Sequence, residues 1–127
     1  MSSKSAPAKR PVILCVDDSE DQLWLRAQVL ERNGYSVLTA STAANALEFL
    51  RDNAISLVIS DHMLGEITGL QLAGEIKRIK PHIPVVLYSG APPPSMGNVD
   101  CFIQKDEPVE HFLELIADLI RRFHQSH

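Results

Sequence analysis

Leu57-Val58-Ile59-Ser60-Asp61 is a short aliphatic run that ends in a carboxylate, and His62-Met63-Leu64-Gly65 follows it. A run of this length, bounded by polar and turn residues, predicts a strand buried in a parallel sheet. Asp61 then stands at the carboxyl edge of that sheet, where open α/β folds bind their ligands. A second run, Pro11 to Val16, ends the same way in Asp17-Asp18. Two buried strands therefore deliver three carboxylates to one edge. Two ionised carboxylates about 4 Å apart repel by roughly 4 kcal/mol at an effective dielectric of about 20. Three in one pocket must protonate, spread apart or hold a cation. Oxygen ligands with room for water suit a hard ion, and Mg²⁺ held by a few carboxylates together with a phosphate fits best. The structural alternative is that Asp17 or Asp18 caps the following helix, which leaves Asp61 unexplained.

A chain of 127 residues suits one domain with a full hydrophobic core. Its net charge of −4 argues against a dedicated nucleic-acid binder, which carries a basic surplus. No apolar run approaches the roughly 18 residues of a membrane span. Residues 12–16 end at two aspartates, unlike a signal peptide. Residues 1–10 (MSSKSAPAKR) hold three bases and no acid, and read as a flexible tail before a domain at 11–124, with 125–127 as its C-terminal end. Without the tail, 9 bases face 16 acids, about −7. Cys15 and Cys101 fall within strands and read as buried free thiols, consistent with a reducing cytoplasm.

In chain order, Ser19 is placed to cap a helix running to about Asn33, ended by Gly34 in a left-handed conformation. Its inward rows are read as Leu25–Val29 and Leu23–Ala27–Leu30, with Trp24 partly covering the core. Tyr35–Ala40 predicts a strand. Ser41 or Thr42 caps the next helix, whose face is Ala43, Ala46/Leu47 and Leu50. After the Asp61 strand, Gly69 to about Lys80 predicts a helix with Leu72, Ala73, Ile76 and Ile79 inward. Gly74 inside it costs roughly 1 kcal/mol against alanine, so close packing on the sheet is its expected reason. Pro84–Tyr88 is a strand leading into Ser89-Gly90. Pro92-Pro93-Pro94 then forbids a helix interior and favours an extended segment, a candidate docking element for a partner. Cys101–Gln104 is the fifth strand, followed by Lys105. A helix over 109–124 has the stripe Val109, Phe112/Leu113, Ile116, Leu119/Ile120 and Phe123.

Five strands alternating with helices through short connections predict a doubly wound α/β fold, a five-stranded parallel sheet with right-handed crossovers. Asp17, Asp18, Asp61, Ser89 and Lys105 all fall on one edge, delivered by four separate strands. A phosphoryl group satisfies them together. A cation on the acids neutralises incoming charge, Lys105 pairs with a phosphate oxygen, and the Ser89 hydroxyl donates to another. Phosphoryl transfer is catalysed mainly by such positioning and neutralisation, and Asp61 can itself be the nucleophile.

Taken together, VDDS at 16–19, ISD at 59–61, Gly69, LYSG at 87–90 and FIQK at 102–105 resemble the receiver domains of two-component response regulators, the CheY-like family. The resemblance covers about residues 11–124. It implies a flavodoxin-like sheet in the order 2-1-3-4-5. It also implies that Asp61 accepts phosphate from a sensor histidine kinase or a histidine phosphotransfer protein. Mg²⁺ would be held by Asp18 and Asp61 directly, by Asp17 through water and by the Met63 backbone carbonyl. Ser89 would be the switch hydroxyl, and Phe102, three before Lys105, the switch aromatic. A cytoplasmic, stand-alone receiver is implied, assisting its own phosphorylation rather than acting as an enzyme on other substrates. Its output would be contact with a downstream protein target, with no direct nucleic acid, no membrane insertion and a possible homodimer.

The sequence departs from the family at three places. Gly65 stands where proline is usual, which predicts a more mobile loop after Asp61. Asp106 replaces the proline that normally follows the lysine, which leaves the aim of Lys105 open. About six residues of the family's fourth helix are missing between Ser89 and Lys105, so that helix is shortened or absent. Three other readings stay in view. A receiver-fold module that ignores phosphorylation would keep the fold without using Asp61. An aspartate-nucleophile phosphatase wants D-x-D where Asp17-Asp18-Ser19 stands. A flavodoxin wants an uncharged phosphate loop where Ser19-Glu20-Asp21 stands. The five histidines show no metal-ligand spacing.

Overall fold

Alternating short aliphatic runs and amphipathic helices produce nine elements, in a computed structural model that describes residues 10–125. They are β1 (Val12–Val16), α1 (Glu20–Arg32), β2 (Ser36–Ala40), α2 (Ala43–Asp52), β3 (Leu57–Ser60), α3 (Gly69–Ile79), β4 (Val85–Ser89), β5 (Cys101–Gln104) and α4 (Val109–Gln125). The expected tail over 1–10 lies, apart from Arg10, outside the described residues, as do the last two of the expected C-terminal end. The strands form one sheet in the order β2-β1-β3-β4-β5, every pair parallel. This is the doubly wound order expected from the family resemblance.

Alternation along the strands sends side chains to two cores. Leu14, Val16, Val58, Val85 and Leu87 pack under α2 and α3, while Ile13, Cys15, Leu57, Ile59, Val86 and Ile103 pack under α1 and α4. The three central strands are thus buried on both faces, which is why their sequences read as continuous aliphatic runs.

Local chemistry sets the helix ends. Ser19 caps α1 by accepting from the Gln22 N–H, and Thr42 caps α2 by accepting from the Asn45 N–H. Neither Asp17 nor Asp18 caps a helix. Thr68 and Gln71 form a reciprocal capping box at the start of α3. At the end of α1, Tyr35 N–H bonds Leu30 O and Gly34 N–H bonds Glu31 O, with Gly34 at φ +96°. That is a Schellman termination, which glycine enters without steric penalty.

Four expectations are corrected. The buried residues of α1 are Leu23, Arg26 and Leu30, so Arg26 occupies the inward row and Leu25 is exposed. Trp24 is 63 % exposed and covers no core. Val109, at the head of the α4 stripe, is also exposed, whereas Phe112, Ile116 and Leu119 are buried as read. Gly74 does not press on the sheet: a Cβ there would meet Asn98 Nδ2 at 3.5 Å, an ordinary contact.

No helix forms between β4 and β5. The segment 90–100 crosses as an irregular, largely exposed loop that holds Pro92–Pro94. Its far end is tied down. Val99 is buried, Asp100 N–H bonds Val85 O, and the Asp100 carboxylate accepts the Val85 N–H at 2.8 Å while pairing with Lys77 at 2.7 Å.

Candidate functional site

The parallel register places the first residues beyond β1 and β3 side by side. Val16 pairs with Ser60, and the Asp61 N–H donates to Val16 O at 2.9 Å. Asp17 N–H in turn donates to Ala40 O of β2. Asp17, Asp18 and Asp61 each offer a carboxylate oxygen, and these atoms lie within 4.8 Å of one another. Burial grades across the cluster: Asp17 is 1 % exposed, Asp61 is half-buried and Asp18 faces solvent. One face of the pocket is therefore open to an incoming group.

Lys105 reaches the cluster from beyond β5. Its Nζ lies 3.4 Å from Asp61 Oδ1 and 3.5 Å from Asp17 Oδ2. The open question about its aim, raised by Asp106, is thereby answered: no cis peptide occurs among the described residues, and the ammonium still meets both acids. Two backbone contacts set its position. Lys105 N–H donates to Ser89 O at 2.9 Å, and the Tyr88 hydroxyl donates to Lys105 O at 3.3 Å.

The remaining residues singled out from the sequence sit around this core. Ser89 is the last residue of β4, half-buried and bonded through its carbonyl to Lys105. Phe102 pairs in register with Leu87 and packs partly buried against the core under α3. Met63 lies in the loop after Asp61 with its side chain exposed, and its backbone bridges to Thr68.

Two backbone bonds tie that loop across. Leu64 N–H bonds Ile67 O, Gly69 N–H bonds His62 O at 2.6 Å, and Leu64 is buried. Gly65 takes φ +87°, a value proline cannot adopt, so the departure from the family's proline reflects a different turn. Gly69 has a separate necessity: a Cβ on it would lie 2.4 Å from Asp61 O and 2.5 Å from Leu87 Cδ1. The Asp61 carbonyl also accepts from the buried Ser60 hydroxyl at 2.8 Å.

Sequence reasoning missed Arg26. Its guanidinium lies 3.5 Å from Asp17 Oδ2 and 4.6 Å from the centre of the Tyr88 ring, with the residue 6 % exposed. Its signal was present in the spacing, three after Leu23 and four before Leu30. The two cysteines are free. Burial pushes the Cys15 thiol up to about 12 and raises that of half-buried Cys101 as well, so neither is a ready nucleophile.

The class defined so far is a five-stranded doubly wound α/β domain with an acidic pocket at its carboxyl edge, faced by Lys105. Comparison narrows this to one family. The family model described as Response regulator receiver domain matches residues 13–116, and the chain belongs to that family. Such domains act in two-component systems, between kinases and downstream effectors. Transcriptional regulatory protein GlrR of Escherichia coli is 40 % identical over 77 residues, which are 61 % of this chain but 17 % of that protein. This chain therefore spans a minor part of that relative. A CheY-like receiver domain from Methanospirillum hungatei shares the fold with a TM-score of 0.88 at 23 % identity, covering 94 % of this chain and 100 % of that one. Response regulator protein TrrA of Thermotoga maritima, solved in complex with Mg(2+)-BeF, gives a TM-score of 0.80 at 27 % identity, covering 86 % and 98 % of the two chains. Among the described residues, no helix is long and apolar enough to cross a membrane.

Proposed function

We propose that this receiver takes a phosphoryl group onto Asp61 from a phosphohistidine of a sensor kinase or a histidine phosphotransfer protein, and signals through contact with a downstream protein. The observation that carries the reading is the meeting of three carboxylates, within 4.8 Å of one another, with the Lys105 ammonium 3.4 Å from Asp61.

The pocket fits a divalent cation on its own chemistry. All its donors are oxygens, and the buried Asp17 Oδ2 has no hydrogen-bond partner among the described residues. Asp17, Asp18 and Asp61, with the Met63 backbone carbonyl, would hold Mg²⁺. When bound, it supplies charge neutralisation for the incoming phosphoryl oxygens. The half-buried Asp61 carboxylate attacks phosphorus as the P–N bond to the donor imidazole breaks, and the released imidazole takes a proton. Lys105, already against Asp61, pairs with a phosphoryl oxygen. The Ser89 hydroxyl, on the same backbone junction as Lys105, donates to another. Phe102 follows that junction by its register with Leu87, one strand position before Tyr88. Loss of the phosphoryl group to water restores the free carboxylate.

The test is intact mass after incubation with Mg²⁺ and acetyl phosphate, beside an Asp61→Ala variant. A gain of one phosphoryl group in the parent alone is the expected result. A gain in both proteins would place the acceptor elsewhere. No gain from acetyl phosphate or from any of a panel of phosphorylated histidine kinases would overturn the reading in favour of a receiver that works without phosphorylation.

A further inference from the structure

Arg26 is the one element of the pocket that neither the phosphoryl chemistry nor the packing of α1 requires. A helix row that buries Leu23 and Leu30 would ordinarily fill the position between them with an apolar side chain. Here the chain places a permanent cation there, because arginine does not lose its proton in proteins. Burying it is unfavourable unless it is paired. Among the described residues its ion pair is with Asp17, at 3.5 Å, and its Nη1 is buried with no hydrogen-bond partner. Glu107 and Gln22 line the same cavity as Arg26, yet Glu107 pairs with His111 instead. The ring of Tyr88 covers the guanidinium and holds it against Asp17. Tyr88 is in turn fixed by its bond to Lys105 O and its contact with Phe112.

Two cations therefore already face one oxygen, since Arg26 and Lys105 both approach Asp17 Oδ2 at 3.5 Å. Three acids set against two built-in cations leave a pocket far less negative than its carboxylates alone. We propose that Arg26 is a positioning residue that sets the divalent-cation affinity of this pocket: it holds and partly neutralises Asp17, so that the pocket binds Mg²⁺ more weakly than the three carboxylates would by themselves. The inference rests on the metal reading given above and adds to it a residue that tunes affinity without touching the ion. Removing Arg26 takes a repelling charge away from the metal and leaves Asp17 in greater need of a cation, and both effects favour loading.

Mg²⁺ titration by calorimetry of the parent, Arg26→Met, Arg26→Gln and Arg26→Lys tests this. Met keeps the length without charge, and Gln keeps a hydrogen-bonding end should Met fail to fold. Both neutral variants are expected to bind Mg²⁺ about tenfold more tightly or better, the scale of one charge removed from a partly buried site, while Lys stays near the parent. The gain should shrink when Asp17→Asn is added, because the part that acts through the Asp17 carboxylate is then gone, which a merely structural role for Arg26 would not produce. Neutral variants that fold and bind Mg²⁺ with the parent's affinity would overturn the inference and leave the metal reading intact. If neither parent nor variants bind Mg²⁺, both fall together.

Discussion

Gly69 shows how narrowly one residue can define this site. Any side chain there would press into the Asp61 backbone at 2.4 Å and into Leu87, and a backbone carbonyl cannot swing aside as a flexible side chain can. Gly69→Ala should therefore displace the acceptor itself. Overpacking of this kind costs typically 1–3 kcal/mol, but the larger effect is expected on function. The variant should remain folded by circular dichroism, with a lowered urea midpoint, and take up phosphoryl from acetyl phosphate far more slowly. A variant with the parent's stability and phosphorylation rate would show that the close approach is unimportant. At this scale the sequence was legible wherever a residue's chemistry contradicts its surroundings. Three acids closing aliphatic runs cannot be ignored, and they led directly to Asp17, Asp18, Asp61 and Lys105. Arg26 escaped because a charged residue in a helix reads by default as part of a solvated face, even where its spacing from Leu23 and Leu30 puts it on the inward row. Gly74 misled in the opposite sense, since a helix glycine suggests crowding and here there is ordinary space.

The elements themselves followed from length and periodicity. Short aliphatic runs gave the five strands, and three consecutive prolines removed the helix expected between β4 and β5. What the sequence could not supply was how the replacing segment is anchored. Asp100 looks like a solvated loop acid, yet its carboxylate takes the Val85 N–H and the Lys77 ammonium together, joining the loop to the start of β4 and to α3. Likewise the sequence did not show how the loop after Asp61 is held, through the bridge of Met63 to Thr68 and the burial of Leu64. The Asp100 contacts make a specific prediction. Asp100→Ala strips the acceptor from a part-buried N–H and leaves Lys77 without this partner, a loss of about 1–3 kcal/mol. Asp100→Asn keeps an acceptor for Val85 and should recover part of that loss. Urea unfolding of the two variants reads the difference, and equal midpoints for parent and alanine variant would show that buried Val99 and the Asp100 N–H hold the segment without the carboxylate.

For the whole molecule, the acidic edge opposes the fold that builds it. The sheet register forces Asp17, Asp18 and Asp61 together, while the unfolded chain lets them separate. Lys105 and Arg26 offset this at Asp17 and Asp61, but among the described residues no ion pair is formed by exposed Asp18. Its charge therefore acts on the metal-free protein chiefly as repulsion. A cation that binds the folded state alone reverses the balance, adding roughly 2.7 kcal/mol at a hundred times its dissociation constant. In a domain of this size that corresponds to on the order of 10 °C in Tm. Thermal melts in chelator and in saturating Mg²⁺ should thus differ by several degrees for the parent. Asp18→Asn should invert the ranking: the variant melts above the parent in chelator, because one repelling charge is gone, and below it in Mg²⁺, because one ligand is gone. Crossing of the two orders is the signature of a pocket whose acids are held together against their own repulsion in order to bind a cation. Parallel shifts, with the variant uniformly less stable, would mean instead that Asp18 serves the fold and not the ion.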